Sequence, residues 1–138
     1  MKCYQPITYN LLKENKACKK QLDLFELHIG LNKPIPLTDE TIQKFSQVFD
    51  IDWAVQKLCI VQDVIEYDKA VESHWQDYFK TLNPFTAKCQ KALADHNTVD
   101  LAIAQSEYNK VKETSLPILY KALATEFVRI YKRGLTSE

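Results

Sequence analysis

Apolar residues recur along this chain at three- and four-residue steps almost from end to end, the period of an α-helix with one greasy face. Thr8 is placed to cap a short helix through Leu11 and Leu12, and Asn15-Lys16 forms a tight turn in which asparagine takes the left-handed conformation. From about Ala17 a second helix carries Cys18, Leu22, Phe25 and Ile29 on one stripe, and Gly30 ends it. Asn32 to Pro36 is an extended loop, because each proline pushes its predecessor out of the helical region. Thr38 caps a further helix, with Asp39 and Glu40 at its positive end and Ile42, Phe45 and Phe49 inward.

Asp50 or Asp52 caps the longest element, a helix near 53–82. Its apolar face is Ala54, Leu58, Val61, Ile65, Val71, Trp75, Tyr78 and Leu82, with Asp68 at the edge. Asn83-Pro84 predicts a fresh start there, since proline suits the first helical turn. That helix runs to about Asp95 with Phe85, Cys89 and Leu93 inward, and His96-Asn97-Thr98 turns the chain. Leu101, Ala104, Tyr108 and Val111 define the next stripe. Ser115-Leu-Pro117 kinks or restarts it, and Leu119, Leu123, Phe127 and Ile130 form the last one. Gly134 closes that helix, with Arg129, Lys132 and Arg133 in its final turn.

An eleven-residue echo overlies these stripes. Tyr67, Tyr78 and Cys89 each open a similar phrase, and Tyr120 and Tyr131 repeat it. Eleven residues are three helical turns, so the echo stacks one face on itself. The expectation is all-α: a bundle of about five to seven helices in one domain, with a short-helix module (8–50) packed on a long-helix bundle (51–134). Composition agrees. With 46% hydrophobic residues the 138-residue chain can bury a core, and two glycines cannot furnish a many-stranded sheet.

Net charge is zero, which removes the general attraction of most nucleic-acid binders, so no direct nucleic-acid contact is expected. The charge is unevenly spread: residues 1–20 are net +4, residues 39–77 net −6 and residues 78–138 net +3. Basic and acidic helices packed together explain this; an acidic face for a basic partner is the other reading. Within it, Asp63, Glu66, Glu72 and Asp77 are the candidate partner-facing strip. No run of about 18 apolar residues occurs, so no membrane association is expected. Lys2, Gln5 and Asn10 break up any leader-like apolar core. Cys3, Cys18, Cys59 and Cys89 form no C-x-x-C pair and are expected as buried thiols in a reducing cytoplasm.

The chain offers little for chemistry. Helical carboxylate metal sites use Glu-x-x-His, and the residues three before His28, His74 and His96 are Phe25, Val71 and Leu93. His74 with Asp77 and Glu66 is the residual metal-site candidate. Ser73 and His74 are adjacent on a helix and diverge, so they cannot act as nucleophile and base. The carboxylate pairs Asp63/Glu66 and Asp68/Glu72 suit acid–base work only inside a cleft and otherwise form a solvated face. No phosphate-cradling glycine motif is present. No catalytic residue, cofactor or metal is expected. The many aromatics are core, with a subset available as anchors for a partner.

Lys16-Ala-Cys-Lys-Lys-Gln-Leu-Asp-Leu-Phe25, His28-Ile-Gly30, Pro36-Leu-Thr-Asp-Glu40 and Phe49-Asp-Ile-Asp-Trp53-Ala54 together resemble an N-terminal module of uncharacterised phage and bacterial helical proteins. That module reads Ala-Cys-x-x-Gln-x-x-x-Phe and is followed by Ala/Tyr-rich eleven-residue repeats. The likeness covers residues 8–90 best; Lys16 replaces the usual glycine, and the repeats here are degenerate. The resemblance implies a structural role for Cys18, Gln21 and Phe25 and a phage or mobile-element setting. The function expected is therefore a small interaction protein, a phage or prophage accessory that binds and modulates a host protein. The alternative is a self-associating assembly protein, with a homodimer through the aromatic seam; a helical-bundle metal protein or enzyme ranks behind both.

Overall fold

The computed structural model describes residues 4–38, 40, 41, 44 and 49–136, and among them five helices have both ends described and there is no strand. These are α1 (Tyr9–Glu14), α2 (Lys19–His28), α3 (Ile51–Leu58), α4 (Val61–Ala94) and α5 (Thr98–Thr136). The chain is all-α, as expected. Of the helix expected after Thr38, Glu40, Thr41 and Lys44 are helical and the Thr38 hydroxyl accepts from the Thr41 amide at 3.4 Å, while Asp39, Ile42 and Phe45 lie outside the described residues.

The ends follow local chemistry. The Thr8 hydroxyl accepts from the Leu11 amide at 3.1 Å, and Asp50 accepts from the Trp53 amide at 3.0 Å. Asn15 is not the left-handed residue of its turn; Lys16 is, at φ 65°. The amides of Lys16 and Ala17 return to the carbonyls of Lys13 and Leu12, a double closure that satisfies the helix end. His96, at φ 53°, repeats this after α4, its amide bonding Leu93 and that of Asn97 bonding Ala92. The Asn97 side chain then caps α5 through the Asp100 amide at 3.0 Å.

α4 and α5, of 34 and 39 residues, fold back on each other as one long antiparallel hairpin. Lys88–Glu107 and Glu66–Arg129 fix the register at 3.4 and 3.2 Å. The seam on α4 is Val71, Trp75, Tyr78, Leu82, Phe85, Cys89 and Ala92, alternating four- and three-residue steps as in a coiled coil. Residues 4–37 and α3 lie over the open end of the hairpin only. The main core cluster, including Ile7, Phe25, Val55, Tyr67, Leu123, Phe127 and Tyr131, lies at that end, and along the rest of the hairpin Leu82, Ala92 and Ala104 are buried in the seam. Beyond about Trp75 and Leu119 the hairpin continues as a two-helix arm.

Four expectations are corrected. Pro84 and Pro117 do not break or restart a helix; both lie inside continuous helices. Each is exposed, as are Lys80 and Glu113, so the carbonyl left without a donor lies on the solvent side. The chain instead breaks at Cys59-Ile60, both in extended conformations, which separates α3 from α4. That break resets the helical phase: Val61 and Ile65 are exposed, and Asp63, Tyr67 and Val71 are the buried face. Leu93 also points outward, with Ala92 buried in its stead. Finally, Gly134 does not end α5, which runs to Thr136; it makes room for a ring, described next.

Candidate functional site

Two features stand out, a buried polar latch at the base and an exposed aromatic face on the arm. In the latch, the extended residues before α1 carry Tyr4 onto the C-terminal turns of α5. The Tyr4 ring stacks on Tyr131 and passes so close to Gly134 that a Cβ there would sit 2.1 Å from it. The Tyr4 hydroxyl donates to Asp63 Oδ2 and accepts from the Ile60 amide at 3.0 Å, closing the break before α4. Asp63, 1% exposed, also accepts from Arg133 at 3.3 Å. Arg133 reaches Glu66 at 2.9 Å, and Arg129 joins Glu66 to Glu126. Hydrogen bonding from Arg133 holds the Glu66 carboxyl below the usual carboxylate range. Burial, and then the bond to Asp63, push the Tyr4 hydroxyl well up. Burial, reinforced by Asp52 at 2.9 Å, does the same to Tyr67.

The latch disperses the expected acidic strip. Asp63 is core, and Glu66 is held by two arginines. Glu72 and Asp77 are exposed but point about 140° apart on the helix. The four carboxylates therefore form no single face. The i,i+3 spacing of Asp63 and Glu66 predicts a solvated face; Asp63 is buried instead because its partners come from residues 59 and 70 positions away.

The residual metal candidate does not assemble either. His74 and Asp77 line a shallow groove between α4 and α5 with Thr81 and Ser115, while Glu66 turns to the arginines. No group of three His, Cys, Asp or Glu side chains among the described residues could hold a metal ion. The thiols differ from expectation: Cys18, at the N-terminus of α2, is exposed, and Cys59 and Cys89 are partly buried. A cavity of about 40 Å³ between Phe25, Trp53, Leu58 and Phe127 is almost wholly apolar and offers no polar group to orient a ligand.

The arm carries the second feature. Trp75 and Phe79 stack at 5.7 Å, and Tyr78 meets both edge-on. Burial, and then the neighbouring Tyr108 and Tyr120 phenols, raise the Tyr78 hydroxyl. Tyr108 lines a groove there with Thr86, Cys89, Gln105 and Asn109. Phe79, Thr86 and Leu93 recur at seven-residue steps and so lie along one flank of α4. Phe79 is 52% exposed, Leu93 63% and Tyr120 38%. None of the described residues covers them fully. The sequence pattern predicts most of these rings as core, because helical period alone does not say how many layers lie above a helix.

No helix among the described residues is long and apolar enough to cross a membrane. Compared with known protein families, curated proteins and solved structures, the chain matches none.

Proposed function

We propose that this protein is a small non-catalytic interaction module that lays the exposed face of its helical arm against another protein. The observation that supports it is the cluster of Trp75, Tyr78 and Phe79, placed where the covering layer stops. Half-exposed aromatics fixed on a rigid element are the side chains that dominate binding hot spots. Glu72, seven residues before Phe79 and exposed, supplies an acidic border for a partner with a basic rim. The setting follows from the sequence resemblance: a phage or prophage accessory that occupies and modulates a host protein.

Self-association is the second reading, favoured by the equal spacing of Phe79 and Leu93 about Thr86. A photo-crosslinking amino acid at position 79, with position 61 as the exposed control away from the arm, tests the role of the arm. Irradiation in cell extract is expected to give a discrete protein adduct from position 79 only. An arm that yields no adduct with any protein, foreign or its own, would sink the proposal.

A further inference from the structure

We infer that the uncovered flank of the arm is a two-fold interface on which a second copy of this chain docks antiparallel, with Thr86 and Asn109 at the axis. The inference rests on the arm being the docking element and names its occupant. The register fixed by Lys88–Glu107 and Glu66–Arg129 sets Thr86 opposite Asn109. Phe79 lies seven residues before Thr86 and Leu93 seven after, and Leu116 and Ala102 lie seven either side of Asn109. The flank is thus apolar at each end and uncharged in the middle, where Thr86, Gln90, Gln105 and Asn109 fall. Rotation by half a turn about Thr86 lays Phe79 of one copy over Leu93 of the other, twice, which is the self-complementarity an isologous dimer requires.

Charge and area fit the same occupant. Residues 72–121 hold six lysines and six acids, so two arms approach without net repulsion. Lys112 and Glu113, of opposite sign, are the charged side chains bordering the flank between the apolar ends, and both are exposed enough to keep their charge in water. Fourteen residues of helix span ~21 Å, and two packed helices are ~20 Å across. With its margins the flank covers roughly 500 Å² per copy, so the pair reaches the ~1,000 Å² at which specific interfaces begin. A reversible, concentration-dependent dimer follows.

Sedimentation equilibrium from low micromolar to near-millimolar protein should show monomer and dimer in exchange. Phe79→Glu and Leu93→Glu should each weaken the dimer at least about tenfold, since each contact occurs twice. Val61→Glu, on an exposed site away from the arm, should not, and circular dichroism confirms that every variant keeps its helices. In a C18S/C89S background, Thr86→Cys should form a disulfide-linked dimer on oxidation, whereas Lys110→Cys, at the same height on the other flank, should not. A monomer at all concentrations overturns the inference, as does a dimer indifferent to both glutamates or linked through position 110. A monomer whose position 79 still crosslinks to a foreign protein rejects the second copy and leaves the interaction reading standing; one that crosslinks to nothing rejects both.

Discussion

The ring of Tyr4 lies flat against that of Tyr131, centroids 4.7 Å apart and planes 7° from parallel, although 127 positions separate the two in sequence. The Tyr4 amide bonds the Gly134 carbonyl at 3.3 Å, and the Tyr131 hydroxyl bonds the Gln5 carbonyl at 2.5 Å. The segment before α1 and the last turns of α5 are thereby fastened where the hairpin opens.

Gly134→Ala tests that fastening. In a helix, alanine would ordinarily be better than glycine by ~1 kcal/mol. Here its Cβ would overlap the Tyr4 ring, which is pinned by stacking and by its hydroxyl, so overpacking should outweigh propensity. A net loss of ~1–2 kcal/mol is expected in urea unfolding. A gain would show that the ring swings aside freely.

Asp63 is the hub of the latch. Asp63→Ala removes the acceptor of both Tyr4 and Arg133 and should cost ~2–4 kcal/mol. Tyr4→Phe, which keeps the stack but loses the hydroxyl's two bonds, should cost ~1–3 kcal/mol. Non-additive losses in the double variant, measured by chemical unfolding, would identify one shared network.

Acid should weaken the fold through Glu66. Its pKa is lowered in the folded state, so the stability it adds is present above the usual carboxylate range and is lost as pH falls through the lowered value. Glu66→Gln should flatten that part of the pH profile, losing at neutral pH the stability that Glu66 adds there and leaving the shape of the alkaline side unchanged.

Alkali acts through the phenols. Tyr4, Tyr67, Tyr78 and Tyr131 are raised, chiefly by burial. Because the unfolded chain ionises near pH ~10 and the folded one above it, their contribution is complete below that pH and is lost as pH rises beyond it. Absorbance at the tyrosinate band should show these four ionising later than free tyrosine, together with unfolding. Their titration at the ordinary value in a chain that stays folded would refute the burial argument.

Pro84→Ala restores an amide donor for the Lys80 carbonyl inside a continuous helix. Proline costs a helix interior ~3 kcal/mol relative to alanine, and the site is exposed and helical already. Thermal stability should rise, by ~1–3 kcal/mol after relaxation of the bend. No change would mean that the arm frays independently of the core.

Much of the helical layout was legible in the residues. Periodicity located the stripes, Thr8, Asp50 and Gly30 set their boundaries by local hydrogen bonding or left-handed backbone, and the turn at 96–97 follows from the chemistry of a helix end. These are interactions within a few residues, which a local pattern encodes directly. The break at Cys59-Ile60 was not legible, because its amide is satisfied by Tyr4 from far away. Pro84 misled for the converse reason: a local rule for proline yields when the flanking turns are held by a partner helix.

The candidate surfaces divide along the same line. The sequence itself determines that Tyr120 and Tyr131 share a helical face, since eleven residues are three turns. Only the tertiary structure decides that Tyr131 is 1% exposed while Tyr120 is 38% exposed. Tyr4 lies over the one, and none of the described residues covers the other to the same depth. Burial belongs to whatever packs on a residue, and for Asp63 as for these rings that neighbour comes from a distant part of the chain.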